Sequence, residues 1–345
     1  MRAPAFWWQA PEAPGLKARL LAPASLLWRL GAALRKARAC PERASVPLIC
    51  IGNLTAGGAG KTPLVRALAA RLAAAGHTPH ILLRGHGGRL GRTAPHRVDP
   101  ARDGFADVGD EALLHAAQTP TWVARDRLAG ARAAARAGAE LILMDDGLQN
   151  PAILPDLAIL VVDAGQGFGN GRVMPAGPLR EPVAEGLARI APPNRGLAVL
   201  IGEPEARARL LAAWPALAAH EPIPARLAPL ATGLPIAGLP VVAFAGIGRP
   251  EKFFDTLRAL GAQLRRAEAF ADHAAYAPAV LTRLQREARA AGAMLVTTEK
   301  DAVRLPPAFR REVLVLPVAL ETDRWDALDA AIAPLLASSP RDTTA

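Results

Sequence analysis

The sequence predicts an α/β protein: a core whose mostly parallel sheet is flanked by helices, an amphipathic helix before it and a second, smaller α/β domain after it. Three observations carry this. An apolar strand, Ser45 to Ile51, runs into the glycine-rich stretch Gly52 to Thr62 and then into an Ala/Leu-rich helix ending near Ala75. Apolar runs that end in acid recur at Leu141 to Asp146 and at Leu157 to Asp163. Helical segments separate these strands, and repeated strand–helix units favour parallel pairing with both sheet faces covered. A chain of 345 residues suits two domains with an appendage: an arm over 1–44, a core over 45–235 and a second domain over 236–345.

The arm is set apart by charge. Residues 1–45 hold eight Lys/Arg against two Glu, so most of the chain's net charge of +10 lies there. Phe6, Trp7 and Trp8 open it. On a helical wheel Leu16, Leu20, Leu27, Leu30 and Leu34 share one narrow face, with Arg29 and Lys36 nearly opposite. Pro23 marks a kink or a helix start. Such a segment fits a bilayer interface, with its basic side chains on anionic headgroups. It fits equally a helix packed on the globular body with a wet basic face. No aromatic–basic interleaving continues along the chain, which argues against nucleic acid as the partner.

Composition narrows the classes further. With 51% hydrophobic and 21% charged residues the chain can bury a sizeable core. Cys40 and Cys50 cannot build a disulfide scaffold or a four-cysteine metal site. No window of eighteen uncharged apolar residues exists, so a conventional membrane span is not expected.

The stretch Thr55-Ala56-Gly57-Gly58-Ala59-Gly60-Lys61-Thr62 carries the clearest chemistry. Its glycines let backbone N–H groups close around phosphate, Lys61 can reach the β- and γ-phosphates, and Thr62 can offer a hydroxyl to Mg²⁺. A strand before it and a helix after it are what a P-loop NTPase core requires. Thr55 stands where the strict pattern has Gly. About 85 residues on, Asp145 and Asp146 close an apolar strand in the Walker B manner, where carboxylates organise Mg²⁺.

Loops between these motifs offer substrate contacts. Arg84-Gly85-His86-Gly87, Val108-Gly109-Asp110-Glu111, Asp126-Arg127, Gln149-Asn150 and the Gly/Pro-rich run Asn170 to Pro182 with Arg180 belong here. Asp110, Arg84 and Arg127 each also read as a helix cap or a surface charge. Pro224 to Pro240 reads as an irregular boundary before a second α/β unit at Val241 to Leu260. In that unit His273 follows Asp272, and an imidazole beside a carboxylate can take a proton near neutral pH. Thr298-Glu299-Lys300-Asp301 lacks the Asn and the spacing of a guanine-reading motif. Glu312 to Leu320 reads as one further strand, and the tail after Ser338 as frayed. On these residues alone a soluble P-loop kinase of a small metabolite and a nucleotide-dependent switch or assembly ATPase both stand.

The ordered set resembles the tetraacyldisaccharide 4′-kinase family, the lipid A 4′-kinases of Gram-negative bacteria. The resemblance rests on Gly52 to Pro63, Arg84 to Gly87, Val108 to Glu111, Asp126-Arg127, Asp145 to Gln149, Gly177 to Pro182, Phe244 to Phe253, Asp272-His273 and Thr297 to Asp301. Thr55 fits that family's phosphate loop. The resemblance implies ATP-dependent phosphorylation of the 4′-hydroxyl of a tetraacyl glucosamine disaccharide 1-phosphate, giving lipid IVA. The protein would be peripheral on the cytoplasmic face of the inner membrane, docked by its arm on an anionic surface, with no obligate protein partner.

By motif, the resemblance gives residues 55–62 to ATP, Thr62, Asp145 and Asp146 to Mg²⁺, and Lys61 to the transferring phosphate. It makes Asp110 and His273 the pair that activates the acceptor hydroxyl. Arg127 and Arg180 become phosphate clamps, and Arg84, Gln149 and Asn150 substrate contacts. The chain departs from the family at Leu148 and Asn150, where Phe and His are usual, at Ala274, where a second His is frequent, and at His86, where Tyr is usual.

Overall fold

The computed structural model describes residues 3–191, 196–231 and 233–337; the tail after Ser338 lies outside them. Among these residues a nine-stranded sheet forms the large body. From one edge to the other its strands are Val318–Glu321, Ile223–Pro229, Gly196–Ile201, Leu157–Asp163, Leu48–Gly52, Leu141–Asp145, Pro79–Leu83, Thr121–Val123 and His96–Arg97. Only the two outermost pairings are antiparallel.

Alternation along the central strands explains why helices cover both faces. Ile49, Ile51, Leu141, Leu143, Ile159 and Val161 join one apolar cluster. Leu48, Cys50, Ile142, Met144, Ala158, Leu160 and Val162 join the other. Side chains at successive positions point to opposite faces, so a strand that is apolar throughout must be covered twice. Each fully buried Leu or Ile contributes about 1.5–3 kcal/mol against exposure. Polar residues appear where the central strands end, and this places Gly52, Asp145 and Asp163 along one rim. That rim is where doubly covered sheets hold their ligands.

The small body is a four-stranded parallel sheet in the order Gln263–Ala269, Pro240–Ala245, Met294–Thr298, Val313–Leu316. It too has an apolar cluster on each face, centred on Phe244 and Leu284 on one side and on Phe254 and Leu257 on the other.

Three readings of the sequence need correction. Residues 224–240 are not irregular throughout, because Ile223–Pro229 adds a strand to the large sheet. Glu312 to Leu320 is two strands in two sheets, divided at Pro317, which has no N–H to continue a ladder. The small body therefore does not reach the C-terminus. Val318–Glu321 returns to the large sheet, and the helix Trp325–Leu336 buries Leu328, Ile332 and Leu335 in the large body's core.

The arm is a continuous helix, Gly15–Ala37, with Pro23 inside it. Its packing is the reverse of the body-packed reading. Ala18 and Ser25 are the buried positions, and Ser25 donates to the Val173 carbonyl. The leucine row on the far side is left in the open: Leu16, Leu20 and Leu27 are 72%, 71% and 72% exposed. No described helix is long and apolar enough to cross a membrane.

Candidate active site

The phosphate loop joins Leu48–Gly52 to the helix Lys61–Ala74. Gly60 caps that helix at φ +86°, and a Cβ there would lie 2.6 Å from Ile201 Cδ1, so only glycine fits. A Cβ on Gly57 or Gly58 would meet nothing, which leaves this part of the loop open to a ligand. Lys61 donates to Asn53 Oδ1 at 3.0 Å and lies 3.4 Å from Asp146. The start of the loop is committed elsewhere. The Ala56 amide donates to the Pro178 carbonyl and Thr55 bridges to Leu179, so the open cradle runs from Gly57 rather than from Thr55.

Asp145 ends its strand and Asp146 follows at φ +58°, a left-handed conformation costly for a residue with a Cβ. Arg180 donates to Asp146 at 2.6 Å. Burial works against charge on Asp146, but Lys61 and Arg180 outweigh it and hold the carboxyl down at about 2. Asp145 Oδ2 takes a hydrogen bond from buried His115 Nε2 at 3.0 Å, while Oδ1 is buried with no partner. An orphaned carboxylate oxygen beside Asp146 and the first turn of the phosphate-loop helix is the donor set a hard cation needs, so the residues present fit Mg²⁺.

A second cluster in the cleft is assembled from both bodies. Asp110 begins the helix Asp110–Ala116, behind Gly109 at φ +88°, where a Cβ would strike the His86 carbonyl at 2.5 Å. His273, at φ +58°, sits on the loop after Gln263–Ala269 and places Nδ1 2.8 Å from Asp110 Oδ2. Burial pushes Asp110 up, yet the His273 hydrogen bond and the charges of Lys300 and Arg304 leave it below the usual carboxylate range. Asp110 is thus an acceptor only, so Nδ1 carries the ring proton and Nε2 is left for the cleft. The same hydrogen bond raises the imidazole above its ordinary value, against burial and the Lys300 charge.

Other predicted residues divide. Gln149 donates to Asn53 O and to Glu181, and Arg180 lies 3.4 Å from Gln149 Oε1, so these two belong to the Asp146 cluster. Arg127 is buried on the Ala124 carbonyl, and burial with neighbouring Arg84 brings it down to about 10. Arg84 is exposed on the cleft wall. Asn150 Oδ1 accepts from the Ala152 amide, so its side chain closes a turn. All of them line one cleft of about 2760 Å³ that also reaches Arg35 and Lys36 of the arm and Phe253 of the small body. Small-ligand sites occupy roughly 300–1,000 Å³, so this cleft has room for a nucleotide and a large second substrate. His115, Asn53 and Lys300 were not legible as site residues. His115 reads as an interior helix residue, and only the Glu-Lys-Asp run signalled Lys300.

The tetraacyldisaccharide-1-P 4′-kinase family profile matches residues 17–337. The chain belongs to that family. A tetraacyldisaccharide 4′-kinase of Dinoroseobacter shibae is 52% identical over 342 residues, with 99% of each chain covered. Another, from Rhodospirillum centenum, is 50% identical over 345 aligned positions, covering 97% of each. The fold of this family member is similar to that of an Aquifex aeolicus LpxK crystallised with ATP. The TM-score is 0.69 at 22% identity, over 93% of this chain and 100% of that one.

Proposed function

We propose that this member of the tetraacyldisaccharide 4′-kinase family transfers the γ-phosphoryl group of ATP to the 4′-hydroxyl of a tetraacyl glucosamine disaccharide 1-phosphate, forming lipid IVA. The observation that carries it is family membership over nearly the whole chain, with relatives of that name about half identical to it. The cleft supports it, because a phosphate cradle and the His273 imidazole, held from behind by Asp110, open into the same space.

Phosphoryl transfer asks for positioning and charge stabilisation more than covalent chemistry. The Gly57 to Lys61 amides and the Lys61 ammonium hold the β- and γ-phosphates. Thr62, Asp145 and Asp146 would hold Mg²⁺, which when bound would neutralise charge on the phosphate oxygens. Arg180, tethered to Asp146, stands ready for charge that develops on the transferring group. Arg127, with Arg84 nearby, supplies positive potential for substrate phosphate. Gln149 and Asn150 line the same cleft, where they would meet the acceptor. Asp110 orients His273 through Nδ1–H, and His273 Nε2 takes the proton of the attacking hydroxyl.

The arm fits a peripheral protein on the cytoplasmic face of the inner membrane. Its leucine row faces away from the body, and an uncovered apolar row of this length calls for an apolar phase. Trp28, also on the arm, donates to the Arg180 carbonyl, so the docked helix sits against the loop that holds Arg180. An acceptor whose acyl chains stay in the bilayer would then reach the cleft beside the arm.

The test is Mg·ATP-dependent transfer of labelled γ-phosphate to detergent-dispersed tetraacyl disaccharide 1-phosphate. Transfer to the 4′-hydroxyl by the natural chain, and not by Lys61→Ala, is expected. Folded protein that binds ATP and transfers nothing to this acceptor would overturn the reading.

A further inference from the structure

Thr298-Glu299-Lys300-Asp301 carries no guanine-reading function, yet it lies on the cleft. Thr298 caps the short turn of helix Glu299–Ala302 and donates to Asp301, which fixes the segment at the end of strand Met294–Thr298. Asp301 is fully buried and accepts from the Gly246 amide and from Arg304. Arg304 donates in turn to the Ala274 carbonyl, next to His273, and lies 3.6 Å from Asp110. Glu299 pairs with Arg66 of the phosphate-loop helix. The segment therefore joins the two bodies at the acceptor pair.

Lys300 is the member of this segment that faces the chemistry. Its ammonium lies 3.1 Å from Glu111 Oε1 of the large body, 3.4 Å from His273 Nε2 and 3.9 Å from Asp272. Only 21% of its side chain is exposed. Burial alone would discharge it, but Glu111, Asp110 and Asp272 outweigh burial and keep it protonated. An ammonium has donors and no acceptor, so the imidazole nitrogen facing it must offer a lone pair.

We propose that Lys300 is a positioning residue for the phosphoryl transfer: it holds the Nε2 lone pair of His273 toward the cleft and sets its own charge against a second proton on the ring. This deepens the kinase reading above and rests on it. Asp110 and Lys300 grip opposite nitrogens of one ring, so the proton stays on Nδ1 and the base stays on Nε2. The two grips differ in strength, 2.8 Å to the carboxylate and 3.4 Å to the ammonium. The long contact is the one that an incoming hydroxyl displaces, and Lys300 then remains on Glu111.

The charged and titratable groups around the ring are Asp110 and Glu111 on one helix, Asp272 beside it, Lys300 and Arg304 from the small body, and His86, whose ring centroid lies 5.7 Å away. Two substitutions among them act on the ring with opposite sign. Lys300→Met removes the charge that opposes protonation of His273. Glu111→Gln leaves the Lys300 ammonium uncompensated and strengthens that opposition.

The experiment combines His273 ring titration by ¹⁵N NMR, assigned with His273→Gln, and the pH profile of kcat/KM. In the natural chain the neutral ring is protonated at Nδ1. Lys300→Met shifts the titration to higher pH, with kcat/KM about tenfold lower on the acid side and within about threefold at high pH. Lys300→Arg restores the natural profile in large part, and Glu111→Gln shifts the titration to lower pH. The inference is overturned if Lys300→Met leaves the titration where it was, or if both charge-removing variants move it the same way. A ring that titrates as expected in a protein that does not phosphorylate the disaccharide would uphold the role of Lys300 and reject the acceptor.

Discussion

On one wall of the cleft, Lys61, Thr62 and the open glycine amides lie within one strand–loop–helix, and Asp145 and Asp146 end the neighbouring strand. On the other wall, Asp110 and His273 are 163 residues apart and come from different bodies. The first wall is held by a strand buried on both faces and by Gly60, where no other residue fits. The second exists only where Lys300, Glu299 and Arg304 hold the small body against the helices that follow the phosphate loop and Gly109. In the proposed reaction phosphate binding would thus be a property of local chain geometry, and activation of the acceptor a property of assembly. The two walls should fail in different ways when altered.

Lys61→Ala tests the first wall and carries the largest expected effect. It removes the charge proposed to act on the transferring phosphate, and kcat/KM should fall about 10³-fold or more. Turnover within tenfold of normal would show that the loop does not stabilise the transferring group. His273→Ala should lower kcat about 10²- to 10³-fold while ATP affinity, measured by calorimetry, stays within about twofold. Loss of ATP binding instead would move His273 to the nucleotide side and break the comparison.

His115→Ala sharpens it from within the first wall. His115 touches no cleft space but holds Asp145, and loss of a hydrogen bond behind a metal-binding carboxylate typically costs about 10- to 100-fold in metal affinity. The Mg²⁺ concentration for half-maximal turnover should rise by that order, with kcat at saturating Mg²⁺ largely kept. An unchanged Mg²⁺ requirement would remove Asp145 from the metal site.

The pH profile tests the second wall without mutation. Because Asp110 raises His273, the ring keeps its proton to a higher pH than an ordinary histidine. The base must be unprotonated, so kcat/KM should climb with pH through a midpoint above the ordinary value of about 6.5. A midpoint below it would mean that another group takes the proton. The smallest effect on chemistry belongs to the arm. Leu20→Ser with Leu27→Ser should weaken sedimentation with anionic vesicles several-fold and leave turnover of detergent-dispersed acceptor within about twofold. Unchanged vesicle binding would assign the leucine row another role.

Most of the first wall was legible because its geometry is local. Gly60-Lys61-Thr62 after an apolar strand admits few other structures, and Asp145-Asp146 at the end of a neighbouring run follows the same logic. Even there the contacts of Thr55 and Ala56 with Leu179 and Pro178 were not legible, because that loop lies more than a hundred residues away. The second wall was visible only as separate fragments. Val-Gly-Asp-Glu also read as a cap or surface charge, Asp-His as a loop imidazole beside a carboxylate, and Thr-Glu-Lys-Asp as a run without a guanine-reading pattern; the family resemblance, rather than spacing, paired Asp110 with His273.

Local sequence determined the central strands around the phosphate loop, the loop itself and the amphipathic arm, since each depends on periodicity, glycine freedom or charge within a few residues. Tertiary structure alone decided which side of the arm faces outward, that residues 318–336 return to the large body, and that Lys300 meets His273. Those outcomes depend on which surfaces bury each other and which charges neutralise each other across long separations, and such terms are written in no single segment of the chain.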